Sequence, residues 1–266
     1  MIDYHIHTDI SPDAKQALGD IVDRARELGI KYLAITDHHE VIDGEFYSGW
    51  QIKDLKKYKS DIEKLNKKYD DIEIAAGIEI GHINEKTEEI KKVLDAIDFD
   101  FVIASAHFVN GVDPYFPQYY EGRTKQESYY DYLREIRDSI DYMDPRVSVI
   151  GHIGYAARYS PYEDNRIYYE EFKDVIDELL TKAIQKGIGI EINTSNFGKY
   201  YEETMPPVSI INRYRELGGE ILTIGSDAHV LHEIGKEYDR ARQIAIDAGF
   251  KYICVFKNLK PEFIAL

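Results

Sequence analysis

Residues 1–7 read MIDYHIH, and this stretch places two histidines, His5 and His7, one residue apart at the end of a short β-rich run. Residues i and i+2 of a β-strand point to the same side, so both imidazoles would leave the strand on one face. Two neutral imidazoles that converge on one point suit a metal ion. Two unrelated surface histidines would give the same pattern, so the rest of the chain has to decide between these interpretations.

Further along the chain, short β-rich segments alternate with longer segments in which apolar residues lie three or four positions apart. This alternation predicts seven strand–helix units. The predicted strands are residues 3–6, 32–36, 72–80, 101–105, 148–151, 189–193 and 221–225. The predicted helices are residues 14–28, 52–69, 86–96, 125–142, 170–186, 208–217 and 233–248. Several of these helices stop at a glycine, which is a common helix end.

The predicted fold class is α/β, with the 266 residues forming a single domain that spans residues 1–266. Seven strand–helix units without a Pro/Gly/Ser-rich linker favour a closed or nearly closed parallel barrel, to which residues 252–256 could add an eighth strand. A doubly wound open sheet is the alternative, but it should show a glycine-rich phosphate loop after an early strand, and none is present. Two longer loops, 40–50 and 108–123, follow predicted strands, where barrels carry their functional residues.

The composition and net charge of the chain indicate which classes of binding partner and which cellular location to expect. Hydrophobic residues form 44% of the chain, which is enough for a packed core, and no apolar run approaches the roughly 20 residues of a membrane helix. The single cysteine, Cys254, permits no internal disulfide and fits a cytoplasmic location. The net charge of −16 disfavours nucleic acid, although bound metal ions would locally permit a phosphorylated small molecule. We therefore expect no nucleic-acid or membrane partner, and the sequence leaves the oligomeric state open.

Most histidines fall at or just beyond the C-terminal ends of predicted strands, which form one rim in a barrel. Seven of the nine follow this pattern: His5, His7, His38, His39, His107, His152 and His229. Asp37, Glu79, Glu191, Asn193 and Asp227 share the predicted rim. Imidazoles and carboxylates are the ligands of Zn, Mn or Fe, and this set exceeds the needs of one tetrahedral ion. The sequence therefore predicts two or three metal ions.

Several rim residues have an alternative interpretation. Taken singly, His107 and His152 could be ordinary core histidines. Asp37 is expected to orient a ligand histidine by a hydrogen bond. Glu191 and Asn193 are expected to form a hydrogen-bonded pair at the rim rather than to bind metal. His39 could contact a substrate or serve only the structure.

The order of these motifs resembles the polymerase-and-histidinol-phosphatase (PHP) superfamily. H-x-H follows the first predicted strand, T-D-H the second, one Glu the third, one His the fourth and fifth, and D-x-H the seventh. Three segments are similar to the monofunctional histidinol-phosphate phosphatases in particular: GIEINTSN (189–196), LGGEILTIGSDAH (217–229) and AGFKYICVFKNLKPEF (248–263). The resemblance implies a distorted, TIM-like (β/α)7 barrel. It also implies a metal-dependent phosphatase that converts L-histidinol phosphate to L-histidinol and phosphate in histidine biosynthesis.

The resemblance further implies a site for three metal ions, which could be Zn, Fe or Mn. One ion would be held by His5, His7, Glu79 and Asp227, a second by Glu79, His107 and His152, and a third by His38 and His229. Asp13, in SPDAK (11–15), stands where some relatives have a histidine. It is expected either to complete the third site or only to cap the first predicted helix.

A hydroxide bridging two metal ions would be the nucleophile, because coordination lowers the pKa of water from 15.7 to about 7. An arginine should bind the phosphate, since its planar fork matches phosphate oxygens. Arg158, in HIGYAARYS (152–160), is the first candidate because its position matches an arginine of the subfamily, and Arg123, in YYEGRTKQE (119–127), is the second. Either could instead form a surface salt bridge. The proton for the leaving group could come from His229 or from a metal-bound water.

Three alternatives to this function remain. An amidohydrolase-type metallohydrolase usually has a metal-bridging lysine after the fourth strand, where this chain reads SAHFV (105–109). A PHP phosphodiesterase or exonuclease conflicts with the net charge of −16 and with the lack of a basic groove. A non-catalytic metal-binding module would not need the candidate phosphate-binding arginines.

Overall fold

Short strands alternate with helices throughout residues 1–42 and 46–266, the part of the chain that this computed structural model describes. The strands are β1 (Ile2–Asp3), β2 (Tyr32–Ile35), β3 (His38–Glu40), β4 (Glu73–Gly81), β5 (Phe101–Ser105), β6 (Val149–Ile150), β7 (Gly189–Asn193), β8 (Leu222–Gly225), β9 (Tyr252–Lys257) and β10 (Lys260–Ala265). The helices are α1 (Leu18–Glu27), α2 (Leu55–Lys68), α3 (Thr87–Leu94), α4 (Lys125–Ser139), α5 (Tyr155–Tyr159), α6 (Lys173–Lys186), α7 (Val208–Glu216) and α8 (Tyr238–Asp247). The predicted loop 40–50 includes residues 43–45, which lie outside the described residues.

Parallel pairing joins the strands in the order β1-β2-β4-β5-β6-β7-β8, and β3 pairs with the C-terminal half of β4. Backbone hydrogen bonds then connect the first and last strands of this row. The amide of Tyr4 donates to the carbonyl of Ile224 at 2.9 Å, and the amide of Asp227 donates to the carbonyl of His5 at 2.8 Å. The predicted distorted (β/α)7 barrel is therefore confirmed.

Residues 252–256 form a strand, as predicted, but this strand lies outside the barrel. β9 pairs antiparallel with β10 in a separate two-stranded sheet. The hydroxyl of Tyr4 donates to the carbonyl of Phe256 at 3.2 Å and accepts from its amide at 3.0 Å. The direct bonds between β1 and β8 leave no free edge there for an eighth barrel strand, so the hairpin packs against Tyr4 and β8 instead.

The first helix begins at Leu18 rather than at residue 14, and its N-cap is Ala17. The residues before it are tied to the barrel rim instead. The side-chain amide of Gln16 donates to the carbonyls of His7 and Ala228, each at 2.8 Å. Asp13 is therefore part of a rim loop and does not cap the helix.

Apolar residues fill the barrel and the inner faces of its helices. All five residues of β5 are buried, and α6 buries Val175, Leu179 and Ala183 at helical spacing. The larger of these side chains, such as Val175 and Leu179, contribute about 1.5–3 kcal/mol each when fully buried. Imidazole and carboxylate groups are buried mainly at the C-terminal ends of the strands, including His5, His7 and Glu79 at 0% exposure. Burial of polar groups opposes folding unless they are paired, so this end of the barrel is the candidate site.

No helix in the described ranges combines the length and the apolar character needed to cross a membrane.

Candidate metal centre

A cavity of about 210 Å³ opens at the C-terminal ends of the barrel strands. Its lining residues are Asp13, His38, Glu40, Phe46, Tyr47, Trp50, His107, Asp113, Tyr115, His152, Tyr155, Arg158, Tyr159, Asp227 and His229. The lining therefore combines imidazoles and carboxylates with aromatic rings. A more open depression at the N-terminal ends of β2 and β4 has no histidine among its described lining residues. Several of the predicted histidines and carboxylates thus line the cavity at the C-terminal end.

His5 and His7 point to the same side of the chain, as the H-x-H spacing predicts. Their Nε2 atoms lie 3.7 and 3.2 Å from Oδ1 of Asp227. Asp227 adopts a left-handed backbone conformation with φ 54°, which aspartate tolerates better than most residues do. This turn directly after β8 brings its carboxylate to the two imidazoles. The three side chains place their ligand atoms within 4.8 Å of one another.

Glu79 is the centre of the cluster. Its Oε2 lies 3.2 Å from His5 Nε2, 3.5 Å from His7 Nε2 and 2.9 Å from His38 Nδ1. Its Oε1 lies 2.7 Å from His152 Nε2 and 3.5 Å from His107 Nε2. Burial acts to raise the pKa of this carboxyl, but the charges of His5 and His38 and the hydrogen bonds from His107 and His152 hold that pKa well below its usual range. Glu79 is therefore an anion in contact with five imidazoles.

Three further groups of side chains have ligand atoms within 4.8 Å of one another. They are Glu79 with His107 and His152, His7 with His38 and His229, and His38 with Glu40 and His107. Asp13 lies beside the second of these groups, with its Oδ2 3.0 Å from His229 Nε2 and 3.7 Å from His38 Nε2. The rim loop before α1 thus brings Asp13 next to His229 and His38.

Side chains behind the cluster orient the imidazoles. His5 Nδ1 donates to Glu191 Oε1 at 2.6 Å, which turns its Nε2 toward Glu79. Glu191 Oε2 also accepts from the backbone amide of His152 at 2.8 Å and from Asn193 Nδ2 at 3.2 Å. The rim pair of Glu191 and Asn193 is therefore present, and it fixes His5 as well. Such partners hold a ligand imidazole in one tautomer and one orientation.

Asp37 acts on His7 through an intermediate residue. Its Oδ1 accepts from the hydroxyl of Ser11 at 2.7 Å, and that hydroxyl accepts from His7 Nδ1 at 3.3 Å and from the amide of His38 at 3.1 Å. The pKa of His7 is lowered to about 3, mainly by burial and next by the charges of His38 and His229. His7 is therefore neutral, which is the protonation state that a metal ligand requires.

The residues of this cluster fit divalent metal ions. Six buried atoms of the cluster form no hydrogen bond of suitable geometry with the described residues, although several of them lie close to an oppositely charged group: His5 Nε2, His7 Nε2, His38 Nδ1, Glu40 Oε2, Glu79 Oε2 and His152 Nδ1. A buried polar atom without a partner destabilises the fold by about 1–3 kcal/mol. Cations coordinated by these atoms would remove that penalty. Imidazole nitrogens with carboxylate oxygens are also a typical zinc donor set.

Arg158 reaches the cluster from α5. Its Nη2 donates to the hydroxyl of Ser195 and lies 3.4 Å from Oδ2 of Asp227. Its Nε donates to Oδ1 of Asn196 at 3.2 Å. The guanidinium is thereby fixed in the cavity wall, directly beside a carboxylate of the candidate metal centre.

Two residues predicted to contact substrate lie elsewhere. Arg123 donates to Asp131 Oδ2 at 2.5 Å and to the carbonyl of Glu127 at 3.0 Å, so its charge is paired on α4 outside the cavity. His39 follows His38 on β3 and points to the opposite face because strand residues alternate. Its Nδ1 accepts from the amide of Ile52 at 3.3 Å, and burial lowers its pKa to about 4. His39 therefore has a structural position.

Other polar residues of the site are not evident from the sequence. Oε1 of Glu40 accepts from His107 Nδ1 at 2.6 Å, and the hydroxyl of Ser105 donates to Glu79 Oε1 at 2.6 Å. Ser195 donates to Oδ2 of Asp227 at 3.1 Å. Only Glu40 had a signal in the sequence, because it stands two residues after His38 and so repeats the i, i+2 spacing of H-x-H.

We expect the Glu191→Gln variant to bind metal about 10- to 100-fold more weakly, because the amide cannot accept from both His5 and His152 as the carboxylate does. Calorimetric titration of the metal-depleted protein with zinc measures this change in affinity. Glu220→Gln is the matched control, since Glu220 is an exposed glutamate just before β8. Equal zinc affinity in both variants would contradict the assigned role of Glu191.

Comparison with known proteins agrees with this geometry. The "Probable histidinol-phosphatase" of Clostridium acetobutylicum is 33% identical over 267 residues, which cover 97% of this chain and 98% of that protein. The histidinol phosphate phosphatase of Lactococcus lactis subsp. lactis, whose crystal structure is a complex with zinc, L-histidinol and phosphate, matches with a TM-score of 0.89 and 28% identity over 98% of both chains. The family model of the PHP domain matches residues 3–195, which include most of the barrel and six of the seven rim histidines, all but His229. The chain therefore belongs to the PHP domain family.

Proposed function

We propose that this protein is a metal-dependent phosphomonoesterase that hydrolyses L-histidinol phosphate to L-histidinol and phosphate. One observation carries the proposal: the guanidinium of Arg158 is fixed in the same cavity wall as the imidazole and carboxylate cluster, 3.4 Å from Asp227. A cation beside a candidate metal centre suits a phosphate dianion. The relatives named histidinol-phosphatase, at 33% and 29% identity over nearly the whole chain, support the same substrate.

Two or three divalent ions, Zn, Fe or Mn, would be held by the predicted ligands. These are His5, His7, Asp13, His38, Glu79, His107, His152, Asp227 and His229. When bound, such ions would activate a water molecule as the nucleophile and neutralise charge on the phosphate oxygens. The four groups of close ligand atoms and the unpartnered atoms that they contain support this assignment.

The protein's own groups have separate tasks in this reaction. Arg158 binds phosphate oxygens and stabilises the charge that develops on them. His229 faces the cavity and is a candidate donor for the leaving oxygen. Burial acts to lower its pKa, but the hydrogen bond with Asp13 and the charges of Asp227 and Asp13 outweigh burial and raise it. The donor role and metal ligation exclude each other for this imidazole, because a nitrogen that binds a metal ion carries no proton, and a metal-bound water is then the donor.

The cavity favours a small phosphomonoester over the alternative substrates. Its volume of about 210 Å³ suits a small molecule. Arg158 is the only lysine or arginine among its described lining residues, whereas a groove for a nucleic-acid backbone needs several. The strand that precedes His107 brings no lysine to the centre, which disfavours an amidohydrolase-type site. We further propose one domain over residues 1–266 and a cytoplasmic location, which the buried free thiol of Cys254 supports.

Hydrolysis by the purified, metal-loaded protein tests the function, with phosphate release measured for L-histidinol phosphate, p-nitrophenol release for bis(p-nitrophenyl) phosphate and ring opening for a cyclic amide. We expect turnover of L-histidinol phosphate to exceed that of bis(p-nitrophenyl) phosphate and of a cyclic amide by at least about 100-fold, because only a phosphomonoester presents a terminal dianion to Arg158 and the metal centre. A chelator should abolish turnover, and added Zn, Mn or Fe should restore it. Equal or absent turnover of L-histidinol phosphate, with metal content confirmed, would contradict the proposal.

A further inference from the structure

Part of the cavity lining consists of aromatic rings around one carboxylate, and two of these rings pack against imidazoles of the metal centre. The rings that line the cavity are Phe46, Tyr47, Trp50, Tyr115, Tyr155 and Tyr159. Phe46 and Tyr115 are 56% and 51% exposed, so these two rings lie at the opening. The carboxylate is Asp113, which is 7% exposed and belongs to the long loop after β5. We refer to Asp113 and these six rings as the aromatic wall.

Neighbouring groups hold the Asp113 carboxylate in one orientation. Its Oδ1 accepts from the amide of Tyr115 at 2.7 Å and from the hydroxyl of Tyr155 at 3.2 Å. Its Oδ2 accepts from the hydroxyl of Tyr47 at 2.8 Å. A carboxylate has about four acceptor positions, so these three donors leave room for one more on Oδ2. Three elements thus orient a buried acceptor that lines the cavity.

We infer that the aromatic wall binds the imidazole ring of the substrate, with Asp113 Oδ2 accepting a ring N–H. This inference rests on the proposed function and names the residues that distinguish L-histidinol phosphate from other phosphomonoesters. A flat ring packs well between aromatic faces. An imidazole offers one N–H donor to the single remaining acceptor position, whereas an ammonium group presents three donors. The donor count therefore favours the ring over the amine.

The spacing between the aromatic wall and the metal centre agrees with this assignment. The ring of Tyr155 packs against His107 and His152, with centroid distances of 5.2 and 5.4 Å, while its hydroxyl contacts Asp113. Asp113 is thus about one tyrosine side chain away from these two candidate ligands. In L-histidinol phosphate, an ester oxygen and a three-carbon chain separate the phosphorus from the ring. The length of the substrate therefore agrees with a phosphate at the metal centre and a ring at Asp113.

The Asp113→Asn variant tests the inference with three phosphomonoesters, assayed on metal-loaded protein. L-Histidinol phosphate has the ring and the amine, phosphoethanolamine has only an amine, and phenyl phosphate has a ring without N–H donors. We expect kcat/KM for L-histidinol phosphate to fall about 10- to 100-fold more than for either other ester, since a hydrogen bond to a charged acceptor is lost. Asp131→Asn is the matched control, because Asp131 pairs with Arg123 and Arg134 outside the cavity. This control should change all three values less than twofold.

Competition experiments on the unmodified protein test the inference if the Asp113→Asn variant does not fold. L-Histidinol should inhibit phenyl phosphate hydrolysis at least about tenfold more strongly than 2-amino-1-propanol, which has the amino alcohol but no ring. Equal inhibition by the two compounds would overturn the inference.

The outcomes separate the inference from the proposed function. If the unmodified protein hydrolyses phenyl phosphate and L-histidinol phosphate with equal kcat/KM, the proposed function fails. The competition experiment still tests the aromatic wall in that case. A loss in Asp113→Asn that is equal for L-histidinol phosphate and phosphoethanolamine would assign Asp113 to the amine and overturn the ring assignment. A loss equal for all three esters, or no loss, would overturn the inference as well.

Discussion

Replacing Glu79 with glutamine is expected to lower kcat/KM for L-histidinol phosphate by about a thousandfold or more, which corresponds to about 4 kcal/mol of transition-state stabilisation. Glutamine keeps the shape of the side chain but removes the negative charge that faces five imidazoles. The uncharged amide would also place N–H donors against nitrogens that need an acceptor or a metal ion. We therefore expect the purified variant to retain less metal, as measured by elemental analysis alongside the kinetics.

Glu73→Gln is the matched control for this experiment. Glu73 begins the same strand, β4, but is exposed and lies 3.4 Å from Lys257 at the other end of the barrel. Its replacement should leave metal content unchanged and kcat/KM within about twofold, since exposed ion pairs contribute little to stability. A Glu79→Gln protein that keeps its metal and more than a tenth of its activity would contradict the central role of Glu79.

Replacing Arg158 with glutamine is expected to lower kcat/KM about 100- to 1,000-fold, because the variant loses a fixed cation beside the position proposed for phosphate. Arg158→Lys should recover only part of this loss, since lysine keeps the charge but not the planar fork. Steady-state kinetics with L-histidinol phosphate measures both effects. The inhibition constant of inorganic phosphate should rise in Arg158→Lys and rise further in Arg158→Gln. This order would link the loss of activity to weaker anion binding.

Arg123→Gln is the corresponding control, because the sequence indicates both arginines as phosphate ligands and the fold separates them. Arg123 is paired with Asp131 outside the cavity, so its replacement should change kcat/KM less than twofold. If Arg123→Gln lost as much activity as Arg158→Gln, or if Arg158→Gln kept full activity, the assignment of the phosphate position would be wrong.

The alternation of strands and helices is sufficient to predict the barrel, but not all of its boundaries. Residues 252–256 have the composition of a barrel strand and still pair outside it, because β1 and β8 bond directly to each other. Residues 14–17 have a helical pattern and still form part of a rim loop, because Gln16 bonds across the rim to His7 and Ala228. In both segments contacts between residues distant in the sequence override the local preference.

The sequence by itself determined the barrel and the gathering of its histidines at one end. Strand residues two apart share a face, and all parallel strands of a barrel end at the same rim, so local spacing is enough for this conclusion. Only the tertiary structure decided between Arg158 and Arg123, identified Glu40 as the partner of His107, and brought Asp113 to the cavity. These residues belong to loops or short helices, or act through partners far away in the chain. Their positions depend on how the loops pack across the barrel, and the local sequence pattern does not encode that packing.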